Sequence, residues 1–147
     1  ICMKRLFLNI LTLALLLFLS CCNHPHTESN EIPFTPVDHY FVRNDVTQYH
    51  PVIIQHEKEF NQYFGTAATM ERSPAPINFK EKAVIAIILP PTSYDTSIIP
   101  VSFTRTPKPT FSYRIEEKKQ SRSYNIVPCL LAVVDKKYTR DLILQQQ

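Results

Sequence analysis

A single glycine, Gly65, stands among 147 residues that include 12 prolines. That ratio removes the commonest way of reversing a β-strand. Two-residue type I′ and II′ hairpins need positive φ at a central position, which glycine adopts at little steric cost. Reversals in this chain are therefore expected in longer loops stiffened by proline, each of which also narrows the unfolded ensemble. The same scarcity excludes glycine-rich phosphate-binding loops.

The chain is organised around residues 76–103, PINFKEKAVIAIILPPTSYDTSIIPVSF. Lys80, Glu81 and Lys82 form a charged turn before an apolar run over 83–89. Val84, Ile85, Ile87, Ile88 and Leu89 are too few for a globular helix and are bounded by breakers, which predicts a buried strand. A proline-stiffened loop follows over 90–96, and a second β-branched run over 97–103. Pro90 and Pro91 fix the take-off of this loop, Tyr94 offers an amphipathic anchor and Pro100 limits its return. Leu89, Pro90, Pro91, Thr92, Ser93, Tyr94 and Asp95 are the expected partner-binding loop, because a stiff exposed segment loses little entropy when gripped. The plainer reading is a connection that merely avoids glycine.

Around this centre, residues 37–147 read as one β-rich domain. DHYFVRNDV suggests a first strand ending at Asn44 and Asp45. PVIIQHEKEFNQYFG places Ile54, Phe60 and Phe64 at helical spacings and ends at Gly65, a helix C-terminal signal, so one early helix is expected there. Thr106-Pro107-Lys108-Pro109 marks a turn. Phe111, Tyr113 and Ile115 alternate with polar partners as in a half-buried strand. Residues 116–122 read as a charged turn, and 124–134 as a long strand in which Pro128 implies a bulge or an edge. A last short strand is expected within 138–144. The fold class is mainly β with one helix (α+β): a small antiparallel β-sandwich or open barrel with the early helix packed on it.

The N-terminal part is of another kind. Lys4 and Arg5 precede an apolar run over 6–19, which is short for a bilayer span and suits a signal-peptide core starting near Met3. Phe18-Leu19-Ser20-Cys21 resembles a bacterial lipobox, making Cys21 the expected lipidation site, with Cys22 as its rival. The competing reading is an ordinary secretory signal. Residues 1–22 are thus expected to be a lipoprotein signal peptide and 23–36 a flexible tether. His24 and His26 are read as part of that solvated tail. An acylated cysteine would moor the domain at the outer membrane or cell surface, with about 0.8 kcal/mol from each buried CH₂.

Without Lys4 and Arg5, 14 basic residues face 13 acidic ones, and so balanced a charge leaves no nucleic-acid footprint. Of the 4 cysteines only Cys129 lies in the domain, so no internal disulfide framework is available. Cys129 sits in an apolar run and reads as a small buried hydrophobe. His39, His50 and His56 follow no metal-ligand spacing, and no nucleophile elbow, H-E-x-x-H or C-x-x-C occurs. No catalytic residue, metal or cofactor is expected. An enzyme is the less favoured class, and a monomer the expected state.

Glu59-Phe60, Pro76-Ile77-Asn78-Phe79 and the KEKAVIAIIL run together resemble the C-terminal domain of the protease-complex subunit PrcB family, over roughly residues 52–138. Asn78 stands where that pattern has aspartate, and Pro90-Pro91-Thr92-Ser93-Tyr94-Asp95 replaces its glycine-rich turn. The layout is also similar to small Bacteroidetes lipoproteins, including the potempins, which inhibit proteases at the cell surface. The resemblance implies a β-rich, surface-tethered domain whose partner is a secreted or surface protease, of serine or metallo class. The expected function is protease inhibition, with residues 89–95 entering the enzyme cleft, Asp95 a zinc-directed carboxylate if the target is a metalloprotease. The alternatives are a non-inhibitory accessory subunit of a surface complex, and a hydrolase or ligand-binding lipoprotein with a polar histidine pocket.

Overall fold

A computed structural model describes residues 29–67 and 74–147. The expected signal peptide, Cys21, Cys22, His24 and His26 lie outside the described residues. The elements are β1 (Thr35–Pro36), β2 (Tyr40–Val42), β3 (Val52–Ile54), α1 (Glu57–Tyr63), β4 (Phe64–Thr66), β5 (Lys82–Ile88), β6 (Thr92–Thr104), β7 (Thr110–Ile126), β8 (Cys129–Asp135), a 3-10 turn at Lys136–Tyr138, and β9 (Ile143–Gln146).

The β5 strand dictates the architecture. Successive side chains on a strand point to opposite faces, so an ordinary surface strand buries every second residue. In β5 the six residues from Ala83 to Ile88 are all at most 1% exposed, which requires cover on both faces. Ala83, Ile85 and Ile87 face one core with Phe103, Phe111, Tyr113, Ala132 and Val134. Val84, Ala86 and Ile88 face a second core with Val42, Ile54, Phe60, Phe64 and Leu131.

Three layers result. The middle layer is a four-stranded antiparallel sheet, ordered β1-β8-β5-β3. On one side lies the three-stranded sheet β6-β7-β9, in which β9 runs parallel to β7. On the other side lie α1 and the β2-β4 pair. The protein is thus an α+β sandwich, and the sheets do not close into a barrel.

The two larger sheets share one long hairpin. Lys82 pairs with Asp135 and the register runs unbroken to Ile88 opposite Cys129. The Leu89 amide then donates to the Pro128 carbonyl at 3.0 Å. Pairing resumes with Thr92 opposite Ile126 and ends at Thr104 opposite Thr110. The near half of this ribbon is β5/β8 and the far half is β6/β7, folded back so that Phe103 and Phe111 lie over Ile85 and Ile87. Pro128 lies between β7 and β8, not inside the long strand expected over 124–134, at the point where the ribbon changes sheets and a missing N–H disrupts no ladder.

Several sequence boundaries shift. The expected helix over PVIIQHEKEFNQYFG is only Glu57–Tyr63, because Val52, Ile53 and Ile54 are β-branched and pair with Ala86, Ile85 and Val84. Phe60 is its buried anchor, ringed by Tyr40, Phe64 and Phe79 at centroid distances of 5.0, 5.1 and 5.6 Å. Gly65 is not a helix cap. It pairs with Phe41 in the β2-β4 ribbon, and a Cβ there would stand 2.6 Å from Phe41 Cζ. The expected tether runs into the body: Ile32 is 2% exposed and Thr35 and Pro36 pair with Val133 and Ala132. Residues 116–122 are no turn but part of β7.

Candidate functional site: the bend of the ribbon

The expected 89–95 loop is largely strand. Only Leu89, Pro90 and Pro91 connect β5 to β6, and Thr92, Ser93, Tyr94 and Asp95 are the first residues of β6. The reason lies in β7, whose residues 118–126 arrive alongside and supply the main-chain partners that a free loop lacks. None of the seven belongs to either core, and Pro90, Pro91 and Tyr94 are exposed. The segment therefore sits at the bend of the folded-back ribbon.

This bend is irregular on one strand only. From Thr92 opposite Ile126 to Asp95 opposite Lys118, three steps along β6 are matched by eight along β7. The surplus belongs to β7, where 116–125 are all exposed. A side-chain turn steadies the β6 side, with the Tyr94 amide donating to Thr92 Oγ1 at 3.1 Å.

The surplus brings charge back onto β6. Arg122 Nη2 donates to Asp95 Oδ1 at 2.6 Å and Lys118 Nζ lies 3.2 Å from Asp95 Oδ2. Arg122 also donates to the Tyr124 hydroxyl at 3.3 Å and stacks over its ring. Lys118 and Arg122 together hold the Asp95 carboxyl below the usual carboxylate range. A carboxylate engaged by two cations is a brace for the bend, and those bonds stand in the way of the metal-directed role foreseen for Asp95. Tyr94 and Tyr124 are 44% and 60% exposed, two of the larger apolar surfaces on the protein. Lys118 and Arg122 fall in the segment that the sequence predicts as a charged turn, and Tyr124 at the start of the strand expected over 124–134, so no local pattern joins the three to Asp95.

The remaining candidates do not converge. His39, His50 and His56 are exposed, and no group of three or more His, Cys, Asp or Glu suited to a metal occurs among the described residues. Two shallow hollows, of about 360 Å³ beside Ser29, Glu31 and Phe34 and about 190 Å³ beside Asp45, Gln48 and Tyr63, contain no histidine. Cys129 packs against the second core, and burial pushes its thiol upward, away from the nucleophilic thiolate. No helix among the described residues is long and apolar enough to cross a membrane.

Comparisons with protein-family models, with curated proteins and with solved structures gave no match.

Proposed function

We propose that this protein is a lipid-anchored surface protein that binds and inhibits a secreted or surface protease through the bend carrying Leu89 to Asp95. The observation that supports this reading best is the state of that segment before any partner arrives. Pro90, Pro91 and Tyr94 are exposed and the other four residues half-buried, yet two prolines, the pairing of Thr92, Tyr94 and Asp95 with β7 and the Asp95 brace hold the backbone in place. An extended backbone is the form in which a peptide adds to a cleft by main-chain hydrogen bonds. A segment already ordered forfeits little entropy on binding. Pro90 and Pro91 remove two N–H groups from the peptide bonds nearest the tip, which disfavours cleavage of the bound segment. The anchor rests on the Lys4–Arg5, apolar and Cys21 or Cys22 succession, and the protease partner on the resemblance described above.

The test is an inhibition assay of the chain from residue 23 onward against subtilisin and thermolysin, repeated with residues 90–94 replaced by alanine. Inhibition that falls by about tenfold or more on replacement is the expected result. Lack of inhibition of both enzymes, or inhibition indifferent to the replacement, removes the proposal. A stable complex that leaves the protease fully active would instead assign the accessory role.

A further inference from the structure

We infer that the outer edge of β6 between Asp95 and Ile99 is where the partner's chain adds as a further strand, the added segment being an extended polypeptide with an acidic side chain beside Arg122. This rests on the protease-binding reading above and specifies how the bend engages its partner.

The three-stranded sheet is ordered β6-β7-β9, so β6 has β7 on one side and an edge on the other. Over Asp95 to Pro100 the pairing with β7 is regular, residue for residue, from Lys118 to Tyr113. Among the described residues no strand pairs with the outer side of this stretch. A regular edge of this kind presents alternate N–H and C=O groups outward, a template for another strand.

Edges are usually blunted by proline, lysine or bulges. In β6 those devices sit only at the two ends. Pro90, Pro91 and the irregularities from Thr92 to Asp95 close one end, and Pro100 with the slip before Ser102 closes the other. Between them stand Thr96, Ser97, Ile98 and Ile99, without lysine or proline and with three β-branched side chains. At about 3.4 Å per residue, the open stretch matches an added strand of roughly five residues.

The chain already uses this same edge once. Glu31 bridges Thr104 in antiparallel sense and the Ile32 amide donates to the Phe103 carbonyl at 2.7 Å. Beyond Ile32 that segment leaves for the middle sheet, where Thr35 pairs with Val133 and the Phe34 ring meets Phe111 edge-on. The edge thus accepts a strand on the far side of Pro100 and is left uncovered between Asp95 and Ile99. An added strand would repeat on the near side the pairing that Glu31 and Ile32 make on the far side.

Charge indicates what the added segment carries. At the Asp95 end, Lys118 and Arg122 engage the one carboxylate of Asp95, two cations to one anion, while the next carboxylate, Glu117, accepts from Thr96 Oγ1 at 3.4 Å. At the Ile99 end, Arg114 is neutralised by Glu116 at 2.9 Å. An acidic side chain at the Arg122 end of the incoming strand is the complementary arrangement.

The test is amide hydrogen exchange on the full chain, alone and mixed with subtilisin or thermolysin, together with affinity measurements for Arg122→Glu and Arg114→Glu. In the complex, alternate amides within 95–99 should slow by about tenfold or more, while β9 and β3 stay unchanged. Arg122→Glu should weaken the complex by about tenfold at low salt, and Arg114→Glu by far less. A complex without protection in 95–99 overturns the inference and leaves the inhibitory reading standing. Protection that appears in the chain alone and grows with its concentration assigns the edge to a second copy, and also overturns it. Failure to bind either protease takes the functional reading and the inference down together.

Discussion

The Leu89 amide and the Pro128 carbonyl, 3.0 Å apart, form the bond at which one paired ribbon leaves the middle sheet and turns into the outer one. Before it, β5 and β8 are sandwiched between two cores. After it, β6 and β7 emerge into solvent, bend, and return over the first core with Phe103 and Phe111. The candidate site is therefore part of the continuous strand system that carries the core, and its rigidity comes from there.

Ile87 and Ile88 are neighbours in β5 that serve different layers, so shortening each should loosen a different part of the protein. Both are at most 1% exposed, and either change to alanine is expected to destabilise by about 2–5 kcal/mol. Hydrogen exchange should separate them. Ile87→Ala should speed exchange mainly in β6, β7 and β9, and Ile88→Ala mainly in α1 and the β2-β4 pair. Indistinguishable exchange patterns would contradict the three-layer arrangement.

Asn78 sets the entry into β5. Its side-chain Oδ1 accepts from the Lys80 amide at 3.1 Å, and its carbonyl accepts from Lys82 at 2.9 Å. Asn78→Ala should lower stability by about 1 kcal/mol, read as a shift in urea midpoint. Asn78→Asp keeps the acceptor and should cost much less. Equal losses for the two would show that the side-chain bond contributes nothing.

Gly65 owes its identity to Phe41. A Cβ at 65 would press on the ring at 2.6 Å, but Phe41 is 49% exposed and can swing aside. Gly65→Ala is therefore expected to destabilise by only about 1 kcal/mol. In a Phe41→Ala background the same change should be neutral or stabilising, because the clash is gone and the unfolded chain is more restricted. Thermal melts of the four proteins in this cycle give the coupling directly; additivity would rule it out.

The Asp95 carboxyl should titrate below about 3.9, its ordinary value, because Lys118 and Arg122 favour its charged form. A folded-state value depressed in this way gives order that is present above the unfolded value and lost as pH falls through the folded one. Carboxyl NMR should thus place the Asp95 midpoint below that of an ordinary aspartate, with Lys118→Ala and Arg122→Ala each raising it. The pair is exposed, so melting at pH 7 should barely change while exchange in the bend quickens. An unshifted midpoint in both variants would dismiss the brace.

Much of the β framework is legible in the sequence because it depends on local signals. The run from Ala83 to Ile88 is apolar at every position and too short, between its breakers, for a helix, which leaves a buried strand, and Phe111 and Tyr113 alternate as a half-buried strand must. Residues 52–64 misled because Ile54, Phe60 and Phe64 satisfy a helical spacing by coincidence. They come from a strand, a helix and a second strand that meet in one core. Residues 116–122 were opaque for the opposite reason, since a strand exposed on both faces carries no periodic pattern.

What the sequence alone determined, then, is the presence of a buried strand, the shortage of tight glycine turns and the mainly β character, since each follows from residues near one another in the chain. Only the tertiary structure decided that Leu89, Pro90 and Pro91 make the connection, that Thr92 to Asp95 pair with β7, and that Arg122 and Lys118 close on Asp95. Those outcomes depend on which strand lies alongside. Backbone hydrogen bonds between segments some 25 residues apart are written in no local pattern of side chains.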